Sequence, residues 1–438
     1  MSLRPRHHPW LPGLPESCVM ACLCALYAFG FGPLSPAHSA LEIFGQDSYY
    51  LIESLWRGGV YPWNPQNHLL HHILLDSGYR VWQFVFSADP LSAFHYLKLF
   101  TVLSGLLFLV ALRRLLFELR LGSPQRCALL LLTGVALPVW FHFSAFETHC
   151  LAVTAVVLYL LALAKLRVPG VRSPGARALF VVSLLAAGWL RTDLFRFAAA
   201  SAVLPLLPAL RLRWREWMLD LAIVAVLGLA GSAVMAWGYL GVRPDEVLST
   251  LLMRDDCVEL EQSLERPANL SPGPLLRVGR AVSLYAFVMP VEPRPPGAGI
   301  AVLPHYVFRG SWTPGQLQPS SLLFHQPARN LMGYALSLLA ALGIAGLLCG
   351  AAVFSVRRAM AGDALLTMVW VQAITGWLLY TWFNPVEPFL WGLEFVPLWI
   401  VIIAESWRDR GRLAWAFLTV TAFLLAAHNL FAFFLPFQ

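Results

Sequence analysis

The residues able to do chemistry gather in a few short polar stretches of an otherwise apolar chain. Asp47 stands in Gly-Gln-Asp-Ser-Tyr-Tyr, ahead of an amphipathic turn of Leu51, Ile52, Leu55 and Trp56. A carboxylate there suits an N-cap, accepting a backbone N–H about two residues on. It equally suits a general base that removes a proton from a hydroxyl at the mouth of a helix bundle. His68, His71 and His72 follow at i, i+3 and i+4, so one helix face presents all three. That spacing can hold a metal, but no acid stands in register, and a histidine-aromatic face at the membrane interface is the simpler reading.

Other polar residues sit near the ends of apolar runs. His142, Glu147 and His149 span one tight turn, where Glu147 also suits a helix start. Arg191, Asp193 and Arg196 mark a second turn. His305, Arg309, His325 and Arg329 belong to a long Pro- and Gly-rich stretch, and Asn384, Glu387 and Glu394 to a third turn and the apolar run after it. Glu387 and Glu394 are seven apart and share a face; Glu394, about two turns deep, is the costliest acid in the chain.

The elements that must carry these residues are membrane helices. The chain has 438 residues, 58% hydrophobic and 13% charged, and its mean hydropathy is +0.65. That balance excludes a soluble protein of this size. The formal charge of +7 implies no nucleic-acid partner, because membrane proteins keep arginine and lysine in their cytoplasmic loops anyway. Spans need about 20 apolar residues. Read so, the chain offers candidates at 14–33, 91–112, 125–143, 148–166, 176–191, 194–210, 217–239, 330–355, 364–382, 386–404 and 413–435. With a cytoplasmic N-terminus, eleven spans put every short arginine cluster on one side, from Arg113 and Arg114 to Arg408, Arg410 and Arg412. The expectation is a single all-α polytopic bundle over 1–438, with extracytoplasmic loops at about 34–90 and 240–329. Interface helices are expected at Ser48–Arg57, Leu69–Phe86, Pro244–Arg254 and Leu275–Phe287. The first span reads as a retained signal anchor. Six of the seven cysteines lie in or beside apolar runs and pack as small hydrophobes; Cys257 stands apart in the second loop.

A short first span, a long outer loop with an acid near its start, interface helices and then many spans resemble the GT-C superfamily of integral membrane glycosyltransferases. The pieces are GQDSYY with LWRGGVYPWNP downstream, NHLLHH, FETHCLAVTAVVLYLLALAKL ending at Leu166, and NPVEPFLWGLEFVPLWIV ending at Val401. The last two are similar to bacterial protein-mannosyltransferase-like and related branches. The resemblance implies an inverting transfer from a polyprenyl-phosphate sugar to a lipid, glycan or protein acceptor on the extracytoplasmic side of a bacterial inner membrane. Asp47 would be the general base, with Glu147 as second acid. Arg191, Arg196, Arg329, Arg57 and Lys98 would hold the donor phosphate. Tyr49, Tyr50, His68, His149, His305, Glu387 and Glu394 would line the substrate site. Many members carry an acidic pair in the first loop, whereas Gln46 and Ser48 flank Asp47 here, so no cofactor is expected and metal-independent chemistry is favoured. The rival readings are a transporter or flippase of lipid-linked saccharides, which would show repeated halves, and a non-catalytic subunit of the same fold.

Overall fold

The computed structural model describes residues 12–29, 46–58, 68–144, 149–167, 173–207, 214–242, 270–288, 291–293, 300–302, 325–326, 331–383 and 388–434. Among these, five helices are long and apolar enough to cross a bilayer, and a sixth span arises if one bent pair is counted as a unit. The chain is an integral membrane protein.

The first half carries α1 (Leu14–Phe29), α2 (Gln46–Arg57), α3 (Leu69–Gln83), α4 (Pro90–Glu118), the bent pair α5 (Ser123–Gly134) and α6 (Leu137–Ser144), α7 (Cys150–Leu166) and α8 (Pro174–Leu190). Short α9 (Arg196–Ser201) and long α10 (Trp214–Leu240) follow. The second half carries α11 (Pro272–Ala281), α12 (Leu331–Met360), α13 (Ala364–Phe383), α14 (Pro388–Trp407) and α15 (Arg412–Phe434). Outside the helices, β1 (Val291–Pro293), β2 (Ile300–Val302) and β3 (His325–Gln326) form a small antiparallel sheet, with Glu292 opposite Ala301 and Ala301 opposite His325.

Among the described residues the expected count of eleven spans is not confirmed. The stretch 194–210 is no span: a 3₁₀ turn Thr192–Phe195, the six-residue α9 and a second 3₁₀ turn Leu204–Leu206 replace it. Pro205, inside that second turn, has no N–H to continue an α-helix. The apolar helices α1, α7 and α8 are 16, 17 and 17 residues long, at the short limit for crossing hydrocarbon. The expected 125–143 span bends by 68° between α5 and α6. Two carbonyls near the break are satisfied from elsewhere, Gly134 by the Tyr27 hydroxyl at 3.1 Å and Val135 by the Asn429 amide at 2.8 Å.

The core follows from α7, which is buried almost all round between α4 and α8. A helix apolar on every face belongs inside a bundle. On one side, α2 lays Leu51, Ile52 and Leu55 against Leu75, Tyr79, Phe94 and Leu97 of α3 and α4, as expected of an amphipathic element. Helix α3 ends near the expected Phe86, and Asp89 caps α4 by accepting the Ser92 N–H at 2.8 Å. The expected helix Leu275–Phe287 is split into α11 and a 3₁₀ turn, Leu284–Ala286. Residues 244–254 lie outside the described residues.

The arginines of the opposite end are not merely scattered. Arg113 and Arg126 pair with buried Glu16, at 2.5 Å each. Arg177 pairs with Asp220 at 2.7 Å, and Arg167 with Glu405 at 2.6 Å.

Candidate functional site

Helix α8 ends at Leu190, leaving its last carbonyls to find donors. Arg191 turns extended there and sends its guanidinium into the bundle. It grips Asp193 with both arms, Nε to Oδ1 at 2.7 Å and Nη2 to Oδ2 at 2.5 Å, and also reaches Glu394 Oε1 at 3.0 Å. After the 3₁₀ turn Thr192–Phe195, Arg196 donates to the other oxygen, Glu394 Oε2, at 2.6 Å, and to the Gln372 carbonyl at 3.1 Å.

Tyr380 joins the four. Its hydroxyl accepts from Arg191 at 3.1 Å and Arg196 at 3.3 Å, donates to Asp193 at 2.6 Å and also contacts Glu394. The Arg196 guanidinium stacks over Phe197, 4.3 Å from the ring centroid. Gly376 makes room for it, because a Cβ there would lie 2.8 to 2.9 Å from the guanidinium atoms. Beneath, Gln372 donates to Tyr159 and to the Phe197 carbonyl, both at 3.0 Å, and so pins α9 to α13.

Burial inside the network is uneven. The Arg191 and Glu394 side chains are 4% and 2% exposed, whereas Asp193 is 31% exposed. Two guanidiniums balance two carboxylates, so the group carries no net charge and opens outward through Asp193.

Beside it runs a column of histidines. The rings of His142 and His149 stack at 5.3 Å, His149 and His68 at 5.5 Å, and His72 and His71 continue edge-on at 6.2 and 5.8 Å. His68 Nδ1–H donates to the Leu190 carbonyl at 3.3 Å, and His142 Nδ1–H to the Pro138 carbonyl at 2.7 Å. A carbonyl only accepts, so each ring carries its proton on Nδ1. The column thereby meets the arginine network at the end of α8. Burial, then the nearby Arg191 charge, holds His68 down to about 4, and burial holds His71 at about 3. These rings are neutral at physiological pH. His71 and His72 lie inside the protein, with His71 edge-on to the Phe100 ring at 5.6 Å. Among the described residues, no group of three His, Cys, Asp or Glu is arranged to hold a metal.

The other expected residues divide as follows. Lys98 Nζ donates to the Ser144 carbonyl at 2.9 Å, closing the end of α6. Arg57 lies at the exposed end of α2, over the Trp56 ring at 5.3 Å. The backbone of Asp47, Tyr49 and Tyr50 forms the start of α2, and their side chains lie outside the described residues, as do Glu147, His305, Arg329 and Glu387 altogether. Sequence reasoning missed Tyr380 and Gln372. A lone amide in the apolar run of α13 was the available signal for Gln372.

No family model matches the chain, and no curated protein matches it. Among solved structures, the archaeal oligosaccharyltransferase AglB from Archaeoglobus fulgidus, in complex with an inhibitory peptide and a dolichol-phosphate, aligns with a TM-score of 0.47 at 12% identity. The alignment covers 95% of this chain and 56% of that one, so the chain spans little more than half the length of that protein.

Proposed function

We propose that the chain is a membrane glycosyltransferase of GT-C type that moves a sugar from a polyprenyl-phosphate donor to a hydroxyl-bearing acceptor, with inversion. The observation that carries this reading is the convergence of the Arg191–Asp193–Arg196–Tyr380–Glu394 network and the histidine column at one end of a membrane bundle, beside α3. A buried charge network with one exposed edge is costly to keep in a membrane protein and is a mark of function.

In this reading Asp47, at the start of α2, is the general base that takes the acceptor proton as the anomeric carbon is attacked. The lipid phosphate leaves, and its developing charge needs cations. Arg191 supplies one by transferring to the phosphate the hydrogen bonds now given to Asp193, the network's partly exposed carboxylate, and Arg196, held on Glu394, adds the second positive charge. Lys98, Arg57 and Arg329 complete the cationic set, Glu147 orients the acceptor, and Glu394 keeps the two guanidiniums in register. The bacterial inner membrane and an extracytoplasmic site belong to the same proposal, and no metal is required.

The test is release of polyprenyl phosphate from radiolabelled polyprenyl-phosphate sugars by the purified protein in nanodiscs. Wild type should turn over at least one donor, and Asp47→Asn should fall by about 10²-fold or more with an unchanged melting curve. Equal turnover would move the base elsewhere. Binding of a donor with no turnover would replace the transferase with a carrier of lipid-linked saccharides.

A further inference from the structure

At the end of the bundle away from the histidine column, the helix ends of α4 and α7 and the turns α12–α13 and α14–α15 enclose a pocket of about 760 Å³. Arg120, Arg167, Arg358 and Arg408 line it, together with the acids Glu118, Asp363 and Asp409. Behind them Glu405, with no exposed side-chain surface, faces three guanidiniums: Arg167 at 2.6 Å, Arg358 at 3.1 Å and Arg408 at 3.4 Å. Glu405 alone cannot neutralise three cations, and of the acids lining the pocket Asp363 offsets Arg358 while Arg120 and Arg167 gain no partner from them among the described residues.

The remaining acids are committed or weakly held. Asp363 caps α13, accepting the Leu366 N–H at 3.2 Å, and its other oxygen contacts Arg358. Glu118 is engaged by Arg114 at 3.0 Å. Asp409 is 83% exposed and stands 3.5 Å from Arg408, where an ion pair contributes little. Arg410 adds a further cation, stacked over the same Phe354 ring as Arg358. Arg120 has no ion pair among the described residues and holds a left-handed backbone, φ 63°.

We propose that this pocket binds a phosphate-bearing anion. The excess positive charge is carried wholly by guanidiniums, whose planar fork matches two phosphate oxygens at once. Arg167, Arg358 and Arg408 are preorganised by the one buried acid they share. The pocket lies at helix ends, so the phosphate belongs either to an anionic lipid headgroup or to a phosphorylated solute. The assignment is independent of the transferase reading, which concerns the other end of the bundle.

The test uses the full chain in detergent. Retention of phosphatidylglycerol against phosphatidylcholine is read by native mass spectrometry, and protection by inorganic phosphate or pyrophosphate by thermal shift. Arg120→Gln and Arg408→Gln leave Arg167 and Arg358 on Glu405, and Arg280→Gln, exposed on α11, is the control. Each pocket variant should weaken binding by about fivefold, with the melting curve unchanged and the control silent. Lipid retention alone identifies a headgroup site; protection by inorganic phosphate or pyrophosphate alone identifies a solute site. Arg120→Gln breaks no ion pair among the described residues, so it reads the site even where Arg408→Gln impairs folding. Equal retention of both lipids with no protection by either anion overturns the proposal, as does binding that Arg120→Gln leaves untouched.

Discussion

Arg196 and Glu394 meet at 2.6 Å across 198 residues of sequence, with side chains 7% and 2% exposed. Their contact ties the turn after α8 to the middle of the bundle's second half. Removing one partner of a buried pair strands the other, at a cost of about 3–5 kcal/mol. Glu394→Ala strands the Arg196 guanidinium, while Arg191 keeps Asp193, and should lower the melting temperature in detergent. Glu394→Gln should cost less, because the amide oxygen still accepts from one arginine. Equal melting of Glu394→Ala and wild type would show that the pairing adds nothing.

Gly188 lies where Phe195 folds back onto α8; a Cβ there would be 2.3 to 2.5 Å from the ring. Gly188→Ala must push Phe195 out of the turn that carries Asp193, and overpacking of this kind costs about 1–3 kcal/mol. Gly175→Ala, with open space around it, should be neutral or slightly stabilising. A differential scan of the two variants checks the contrast.

The histidine column makes stability depend on pH. His68 is held down to about 4 by burial and then Arg191, and His71 to about 3 by burial and then His68, from an ordinary value of 6.5. Below about pH 6.5 the unfolded chain takes up protons that the folded chain refuses. Stability is therefore full above that pH and falls on acidification, levelling only near pH 4 to 3. The slope reaches about 1.4 kcal/mol per pH unit for each ring. Melting curves from pH 7.5 to 5 should shift down, and His68→Asn, which keeps a donor for the Leu190 carbonyl, should flatten the trend. A pH-independent melting temperature would contradict the buried, neutral column.

Asn429 donates to two carbonyls, Val135 and Phe287, each at 2.8 Å. Asn429→Leu leaves both without that donor inside the protein, at about 1–3 kcal/mol. Hydrogen exchange should then quicken around the α5–α6 bend before it does in α7. Uniform quickening would mean that the amide does not secure the bend.

The sequence made the membrane class legible, because no other environment tolerates so apolar a chain. It also marked Glu394 as an acid needing a partner, since an unpaired carboxylate two turns deep is prohibitive. The partners themselves were visible as Arg191 and Arg196, but not the pairing, which depends on how distant helices pack. The histidine spacing showed one face of α3 but not what packs against it. Nothing local to His68, His71 and His72 reveals that His142 and His149 cover them. The span count failed at 194–210 because hydropathy sums apolar residues without weighing Pro205 against helix continuation. Tyr380 was hidden because one tyrosine near a helix end looks like any interface anchor.

Helices α7 and α8, 17 residues each, measure about 26 Å from end to end, against a hydrocarbon slab of about 30 Å. Helix α10, with 27 residues and Val226, Leu229, Val234 and Trp237 turned outward, extends about 40 Å and can match the lipid by tilting. The short pair therefore sets a sunken floor inside a taller wall. Arg191 follows the last residue of α8 and His149 precedes the first of α7, so both stand at the ends of that short pair. In the proposed transfer reaction, a lipid-linked donor would reach them by sliding sideways within its own leaflet, without lifting its polar end into bulk water.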